Sequence, residues 1–340
     1  MEKILQKIEH LLNEKQFETF SFRFNTNRQS YCYDFLVKKH NLVFIVKVFS
    51  NIDNINEDII EGIKLLSKLL KSKPLLIGMK NRYQKLEDNT IYIREGLPFI
   101  NINTLEKILR EGLYPYILAR RGGGVVFLDG DIIKELREEK KISRKELSDQ
   151  IGVTKRTLCS YERENMRPSM EIAEKLGKVL GSKSFIRNID VLDWHFKFDF
   201  EKLTIEKEKE LNPFEEHLRD IIEDIGIKSY WYKRQFPFEV LLSSKNLDLE
   251  IGNQFYPLFS EVSEKEKIKE IKLKCLHNLK TLTNLFHKQA IFIINNGIKI
   301  PKNLPKEKIP IIKIKQLEKI DDEEEFINLV QDSEKSTSTN

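Results

Sequence analysis

The side chains whose types and spacing could do chemistry lie mostly between residues 131 and 181. Four of them, Lys155, Arg156, Thr157 and Ser160, fall on the side of a predicted helix that its apolar residues leave free. Lysine and arginine can donate hydrogen bonds to guanine O6 and N7, while threonine and serine are short enough to contact a thymine methyl group or a phosphate. This face predicts a surface that could bind nucleic acid.

The elements that position these side chains are marked by their ends. Ser143 and Glu146 have the spacing of a capping box, which starts a helix that Gly152 ends. Thr154 then caps the helix that carries the four polar side chains. Apolar residues at helical spacing predict one more helix on each side. The segment therefore predicts four helices with a tight turn between the second and the third.

The string from Ile142 to Ser169 resembles the Cro-type, lambda-repressor-like helix-turn-helix family. The positions that match the family's pattern are Ser143, Glu146, Leu147, Gly152, Val153, Thr154, Leu158, Tyr161, Glu162, Pro168 and Ser169. Three residues depart from it: Lys141 and Glu164 stand where glycine is usual or frequent, and Ser148 stands where alanine normally packs. None of them removes the turn, but Glu164 would put a carboxylate near the edge that faces DNA.

The resemblance implies that the third helix enters the major groove with its N-terminal residues towards the base edges. We expect Lys155 and Arg156 to read bases, and the residues flanking the third helix to hold phosphates and fix the register. The side chains expected to contact DNA are Ser143, Arg144, Lys145, Thr154, Lys155, Arg156, Thr157, Ser160, Arg163, Asn165 and Arg167. The alternative is a bundle that only packs within the protein, with its basic residues as solvated surface.

One such module reads only a few base pairs, so useful specificity normally needs two modules about 34 Å apart on one face of DNA. We therefore expect a homodimer on double-stranded DNA with an inverted repeat. A protein partner or an effector remains open.

Two mixed α/β blocks flank the helices. We predict α/β domains at 1–120 and 186–320, an all-α helix-turn-helix domain at 129–185, and an acidic, disordered tail at 321–340. The glycine-rich stretch from Arg120 to Gly124 is interpreted as a linker. Each α/β block has the order helix, three strands, helix, strand, strand. This favours an internal duplication, and the alternative is two unrelated domains that share a generic pattern.

In the C-terminal block the predicted strands are 229–236, 238–242, 247–251, 290–294 and 311–314, with helices at 213–226 and from 262 to about 287. The alternating aromatic residues between Trp194 and Phe200 predict one further strand.

The N-terminal block resembles the restriction-endonuclease-like fold, through Asp34 and the triplet from Ile45 to Lys47. In active members of that fold, an acid-x-Lys triplet and a further acid bind the divalent metal that activates water. An isoleucine cannot bind magnesium, so we expect no cleavage. In the C-terminal block, Glu239 with Asp248 or Glu250 lacks the lysine. We predict no metal and no cofactor.

Composition bounds the class of protein. The 340 residues are 40% hydrophobic and 33% charged with a net charge of +5, which describes a globular protein and argues only weakly for nucleic acid. No apolar run reaches the roughly 18 to 20 residues of a membrane-spanning helix. Three cysteines far apart in sequence favour a reducing, cytoplasmic location.

The whole arrangement resembles a family of archaeal helix-turn-helix transcriptional regulators. That resemblance implies a sequence-specific, DNA-binding regulator of transcription that is not an enzyme. Two alternatives remain: a metal-dependent DNA-cleaving enzyme that the helix-turn-helix targets, and a DNA-anchored scaffold whose flanking blocks bind protein.

Overall fold

The computed structural model describes residues 1–21, 32–120, 123–197, 211–232, 236, 238–244, 255–256, 258–263, 273–298 and 309–336. The chain forms two compact units. The first comprises residues 1–19, 39–56 and 73–197, and the second comprises residues 20–38, 57–72 and 198–340.

Three helices and eight strands are described up to residue 126. In chain order they are α1 (Glu2–Glu14), β1 (Glu18–Ser21), β2 (Phe35–Lys39), β3 (Leu42–Asn51), α2 (Glu57–Leu69), β4 (Lys73–Lys80), β5 (Thr90–Arg94), β6 (Leu97–Ile100), α3 (Ile102–Glu111), β7 (Ile117–Arg120) and β8 (Gly123–Val126). Four helices follow: α4 (Gly130–Glu139), α5 (Arg144–Ile151), α6 (Lys155–Glu162) and α7 (Met170–Leu180).

Within the first unit, hydrogen-bonded strands lie in the order β3, β4, β6, β5, β7, β8. The strands β3, β4 and β6 are parallel, β5 is antiparallel to β6 and parallel to β7, and β8 is antiparallel to β7. Residues 43–49 of β3 are buried without interruption, as expected of a strand that is covered on both faces. Mixed α/β structure is thus confirmed for this part of the chain.

The stretch interpreted as a linker is a β-hairpin, which corrects that interpretation. Arg120 pairs with Gly123 and Ile117 with Val126, while Arg121 and Gly122 lie outside the described residues. A Cβ atom on Gly124 would lie 2.4 Å from Cγ2 of Ile117, so the glycine lets the two strands approach. The sequence indicated the cost of ordering glycine but could not reveal this close contact.

The second unit holds the remaining elements. They are α8 (Pro213–Asp224), β9 (Ile227–Trp231), β10 (Val240–Ser244), β11 (Leu258–Ser263), α9 (Leu273–Phe286), β12 (Ala290–Ile294), β13 (Ile311–Lys313), α10 (Ile314–Leu317) and α11 (Glu323–Ser336). The strands lie in the order β13, β12, β11, β10, β9. The strands β11, β12 and β13 are parallel, and β10 is antiparallel to both of its neighbours.

The same order recurs in the two halves of the chain. A helix and three strands come first, then a second helix, which three strands follow in the N-terminal half and two in the C-terminal half. The strands β11, β12 and β13 run parallel just as β3, β4 and β6 do. A shared order of elements together with a shared parallel run is what an internal duplication predicts.

One predicted boundary in the C-terminal half is wrong. Val262 was expected to begin a long helix, but it lies in β11, and the described helix begins at Leu273. Short buried runs cannot be told from helix by periodicity, and Phe259 and Ser260 are fully buried beside β12. The predicted strand at 247–251 falls outside the described residues.

The acidic tail is folded, contrary to the prediction of disorder. Residues 323–336 form α11, and Phe326 and Val330, one helical turn apart, are fully buried in the core of the second unit. Glu323, Glu324 and Glu325 lie in the first turn, where the helix dipole favours negative charge. Those carboxylates therefore stabilise a helix that two apolar residues anchor.

Residues 194–197 form no strand, so the strand that we predicted from the alternating aromatic residues is wrong in this part. Trp194 instead donates its indole N–H to the carbonyl of Gly96 at 2.9 Å. Phe198 and Phe200 lie outside the described residues. Among the helices that the structure describes, none has the length and apolar character required to cross a membrane.

Candidate nucleic-acid interface

The helices α4 to α7 enclose one apolar core. Its fully or nearly fully buried members are Val126, Leu128, Ile133, Leu147, Ile151, Leu158, Tyr161, Ala173, Leu176, Leu180 and Phe185. Each helix contributes residues at helical spacing, and Val126 and Leu128 come from the chain that leads out of β8. The four predicted helices are therefore present, with their apolar faces turned inward.

The predicted capping box at the start of α5 is formed. The Ser143 hydroxyl accepts from the Glu146 N–H at 3.2 Å, and the Glu146 carboxylate accepts from the Ser143 N–H at 2.8 Å. These hydrogen bonds, the one from the Ser143 backbone first, hold the pKa of Glu146 below its ordinary value. Gly152 ends α5 with φ +75°, in the left-handed region that glycine adopts without strain. Both predicted ends of α5 are therefore formed.

The recognition face, defined as Lys155, Arg156, Thr157 and Ser160 of α6, opens to solvent. Lys155 and Arg156 are exposed, and Thr157 and Ser160 are half-buried. The Thr157 hydroxyl lies 2.9 Å from the hydroxyl of Thr154, the N-cap, and the Ser160 hydroxyl donates to the Arg156 carbonyl at 3.0 Å. Both hydroxyls have local partners, so the long basic side chains are the ones that can extend to a ligand.

Arg144, which is expected to hold a phosphate, also forms an ion pair with a buried carboxylate of the domain. Its Nε donates to Oε2 of Glu162 at 2.6 Å, which raises the pKa of the guanidinium, and its side chain is 41% exposed. Its terminal nitrogens donate no hydrogen bond to any residue that the structure describes. Ser143 and Lys145 beside it are exposed. One edge of Arg144 is therefore anchored while the other can meet an anion.

The loop after α6 carries the remaining expected contacts, Arg163, Asn165 and Arg167, all of them exposed. The guanidinium carbon of Arg167 lies 3.9 Å from the ring centroid of Phe127, a cation–π geometry. Stacking restricts where this guanidinium can point, so Arg167 is held in place before any ligand arrives.

Glu164 does not present its carboxylate as the sequence suggested. The residue adopts φ +59°, and its carboxylate accepts from the Gly130 N–H at 3.1 Å. It also forms an ion pair with Arg187, with nitrogen–oxygen distances of 2.7 and 2.9 Å. The negative charge is thus compensated within the domain.

The other two departures from the family pattern are also accommodated. Lys141, at the other position where the family uses glycine, has φ +56°. Ser148 replaces alanine and satisfies its buried hydroxyl by donating to the Lys145 carbonyl at 2.8 Å.

Two buried charges behind α6, on Arg137 and Glu162, were not predicted from the sequence. Nε of Arg137, on α4, lies 2.7 Å from Oε1 of Glu162, and the two side chains are 8% and 3% exposed. Arg137 also donates to the Ile142 carbonyl at 3.1 Å. A signal existed, because Arg137 lies one turn after Ile133 on the apolar side of α4, where a charged residue needs a buried partner.

The helix-turn-helix domain is hydrogen-bonded to the hairpin that precedes it. The Val126 N–H donates to the Pro168 carbonyl at 2.9 Å, and Val125 forms a β-bridge with Ser169, the N-cap of α7. The Asp129 N–H donates to the Phe185 carbonyl at 2.7 Å. The domain is thus attached to β8 by backbone contacts.

The nuclease-like residues lie next to or within two strands that follow each other in the chain. Asp34 directly precedes β2, Ile45 is fully buried in β3, and Lys47, two residues on, is only 6% exposed. In the described part of the chain, no three histidine, cysteine, aspartate or glutamate residues are grouped so that they could hold a metal ion. Asp248 and Glu250 lie outside that part.

Comparison with known proteins agrees with this geometry. Residues 133–186 match the profile of a helix-turn-helix family, and residues 1–115 match that of a PD-(D/E)XK superfamily domain. The chain is 30% identical over 330 residues to a protein of Methanobrevibacter smithii that is assigned by name as an HTH-type transcriptional regulatory protein, with 97% of each chain covered. Proteins with the same assignment in Pyrococcus furiosus and Methanocaldococcus jannaschii are each 29% identical, over 336 and 296 residues, which cover 99% and 87% of each chain.

Proposed function

Since this chain belongs to the archaeal family of HTH-type transcriptional regulatory proteins, we propose that it binds a specific DNA sequence as a homodimer and reads it with the recognition face of α6. That it is a DNA-binding regulator follows from the family. The finer proposal is carried by one observation, the exposure of Lys155 and Arg156 at the start of a helix that a capped turn presents.

Within this proposal, Lys155 and Arg156 contact base edges in the major groove, and arginine is suited to bidentate hydrogen bonds with guanine. Ser143, Arg144 and Lys145 at the start of α5 would hold one stretch of backbone. Arg163, Asn165 and Arg167 would hold another. Thr154, Thr157 and Ser160 would contact the groove wall, with Thr157 offering its methyl group because its hydroxyl meets Thr154.

We propose a homodimer because the recognition face of one copy is small. The helix α6 has eight residues, and its N-terminal half can reach only a few base pairs. Two copies about 34 Å apart on one face of the duplex would double the number of bases that are read. The expected operator is an inverted repeat.

We further propose that the chain regulates without cleaving DNA. A nuclease is the second candidate because residues 1–115 match a PD-(D/E)XK superfamily domain. Ile45 offers no ligand for magnesium at the first position of the triplet, which favours the regulator. Cleavage of plasmid DNA by the pure protein in magnesium, lost in the Asp34→Ala variant, would establish the nuclease instead.

Selection of bound duplexes from a random pool tests the main proposal. We expect a motif with two-fold symmetry, and we expect Arg156→Ala to relax the preference at one position of each half-site, at a cost of about 1–3 kcal/mol for the preferred base. The matched control is Arg110→Ala, which removes an exposed arginine from α3 and should leave the motif intact. If the motif is unchanged in Arg156→Ala, Arg156 does not read a base. Equal binding to all duplexes rejects sequence-specific recognition.

A further inference from the structure

The first unit contains an open cavity of about 720 Å³ that belongs to neither the recognition face nor the nuclease-like positions. Its lining includes Asp53, Arg82, Tyr83, Arg94 and Arg120. The volume lies within the range of about 300–1,000 Å³ that is usual for small-molecule sites. The cavity is thus large enough for a metabolite.

The lining is cationic, with three arginines against one aspartate. Asp53 is committed to its neighbours: Nε and Nη2 of Arg94 lie 2.7 and 2.6 Å from its Oδ1, and the Arg82 N–H donates to Oδ2 at 2.8 Å. Burial by itself raises the pKa of Asp53, but these hydrogen bonds outweigh it and hold the pKa below its ordinary value. Asp53 and Arg94 therefore compensate each other.

The guanidinium groups of Arg82 and Arg120 form no such pair, although the charge of Arg82 helps to lower the pKa of Asp53. Neither makes an ion pair or a side-chain hydrogen bond with any residue in the described ranges. Two arginines in one cavity whose guanidinium groups have no ion-pair partner favour an anion, and the planar guanidinium matches the paired oxygens of a phosphate.

Tyr83 stands at the rim on an ordered turn. The Asn81 side-chain carbonyl accepts from the N–H groups of Tyr83 and Gln84, both at 2.8 Å, and the Asn81 N–H donates to the Gln84 carbonyl at 2.9 Å. The turn is closed by its own hydrogen bonds, yet Tyr83 as a whole residue is 86% exposed. A large aromatic ring held open to solvent beside two arginines can stack on a flat ring.

We propose that this cavity binds a nucleotide, with its phosphate held by Arg82 and Arg120 and its base stacked on Tyr83. The pairing of an anion site with an aromatic platform carries the choice, because a free phosphate would use only the arginines. A backbone phosphate of bound DNA is the rival occupant.

The cavity also connects to the DNA-binding domain. Arg120 ends β7 and pairs with Gly123 of β8. Three residues later, Val126 donates to the Pro168 carbonyl, which follows Arg167 in the loop after the recognition helix. A ligand that draws in Arg120 would therefore bias the loop that carries Arg163, Asn165 and Arg167. This regulatory consequence rests on the proposed function, whereas the binding site itself does not.

Isothermal titration of the full chain, without DNA, tests the site with ATP, AMP, adenosine and inorganic phosphate. We expect saturable binding of ATP or AMP and weaker binding of adenosine and phosphate alone. Arg82→Gln and Arg120→Gln should each weaken nucleotide binding by about tenfold or more, the usual loss for a charge-assisted hydrogen bond. Tyr83→Ala should weaken nucleotides but not phosphate. Arg110→Gln, outside the cavity, is the matched control, and near-ultraviolet circular dichroism checks that each variant is folded.

The proposal is overturned if no nucleotide saturates by about 5 mM, the limit of a weak specific site, or if Arg82→Gln and Arg120→Gln bind nucleotides as the unmodified chain does. It is also overturned if those two variants keep nucleotide binding but lose affinity for duplex DNA, since the cavity would then hold DNA phosphate. The regulatory consequence is measured separately, as a shift of several-fold in the Kd for the selected operator when nucleotide is added. That shift should vanish in Arg120→Gln, and its absence in the unmodified chain rejects the coupling.

Discussion

The guanidinium of Arg137 lies with Nε 2.7 Å from Oε1 of Glu162, and both side chains are buried. Arg137 belongs to α4 and Glu162 is the last residue of α6, so this pair joins the helix that begins the domain to the helix that we propose reads DNA. Oε2 of the same carboxylate accepts from Arg144 of α5 at 2.6 Å. One carboxylate therefore fixes three helices to one another, and the orientation of α6 depends on charge as well as on apolar packing.

Replacing Glu162 with glutamine should destabilise the helix-turn-helix domain by about 3 kcal/mol, the lower end of the cost of breaking a buried pair. The buried Arg137 then keeps only Glu138, whose side chain is 55% exposed, as a counter-charge. Hydrogen–deuterium exchange of the full chain, followed in peptides from α4 to α7, reports this domain directly. The double variant Arg137→Met/Glu162→Met, which removes both charges of the pair, should recover much of the loss. Equal loss in the single and double variants would show that the two side chains matter for shape alone.

The sequence was informative where the determinants of structure are local. Ser143, Glu146 and Gly152 lie within ten residues of one another, and a capping box and a left-handed stop are decided within that distance. The four helices and the position of the exposed basic side chains could therefore be predicted. The pairing of Arg137 with Glu162 spans 25 residues and depends on how α4 crosses α6, which no local pattern encodes.

The predictions from sequence were wrong where contacts between residues far apart in the chain determine the structure. The strand β11 is stabilised by β12, about thirty residues further along the chain, and α11 by the core that receives Phe326 and Val330. An acidic run with four apolar residues resembles a disordered tail until a partner surface is known. Similarly, Gly123 and Gly124 suggested a flexible linker because the sequence cannot show that the side chain of Ile117, on the paired strand, lies against Gly124.

Gly130 should tolerate no side chain. A Cβ atom at this position would lie 2.1 Å from the backbone carbonyl oxygen of Glu162, and backbone on α6 cannot move aside as a flexible side chain can. We expect Gly130→Ala to cost about 1–3 kcal/mol or more in the free energy of opening of the domain, measured by hydrogen exchange in α4 and α6.

The matched control is Gly177→Ala, within α7. Its nearest neighbour would be the flexible side chain of Lys183 at 3.0 Å, and alanine in a helix interior gains about 0.5–1 kcal/mol over glycine. A neutral or stabilising effect at 177 beside a large loss at 130 is the expected result. Equal losses would contradict the close approach of α4 to α6.

Replacing Lys141 with glycine should stabilise the helix-turn-helix domain. Its φ of +56° is unfavourable by about 1–2 kcal/mol for a residue with a side chain, and glycine gives back part of that as unfolded-state entropy. The expected net gain is about 0.5–1 kcal/mol. Lys140→Gly serves as the control, because its φ of −79° is ordinary and only the entropy cost applies. Hydrogen exchange in α4 and α5 should show opposite signs for the two variants, and losses at both positions would argue against strain at 141.

Asp129 should make the domain sensitive to acid. The hydrogen bond from the Ile132 N–H, opposed by burial and reinforced by Arg187, lowers the pKa of Asp129 below 3.8. A lowered pKa in the folded state means that the stabilisation is fully present above the unfolded pKa and is lost as the pH falls through the folded pKa. Because Arg187 is half exposed, we expect only about 0.5–1 kcal/mol.

The measurement is the thermal midpoint of Asp129→Asn against that of the unmodified chain. The unmodified chain should be more stable near neutral pH, and the gap should close as the pH falls below about 4. Asp131→Asn, two residues on and exposed, is the control and should leave the profile unchanged. A gap that stays constant into acid would show that the charge of Asp129 is not what stabilises the N-terminus of α4.

Arg167 offers a way to separate a DNA contact from a structural role. If it holds a phosphate, Arg167→Ala should lower the slope of log K against log salt by about 0.9, the value for one phosphate contact, with the same change on every duplex. The stack on Phe127 predicts an additional loss of about 0.5–1 kcal/mol in domain stability. Arg167→Lys keeps the charge but not the planar group, so it should preserve the slope while it loosens the stack. A fall in affinity with an unchanged slope in Arg167→Ala would assign the residue to the support of the loop, and the phosphate contact would then have to come from Arg163 or Asn165.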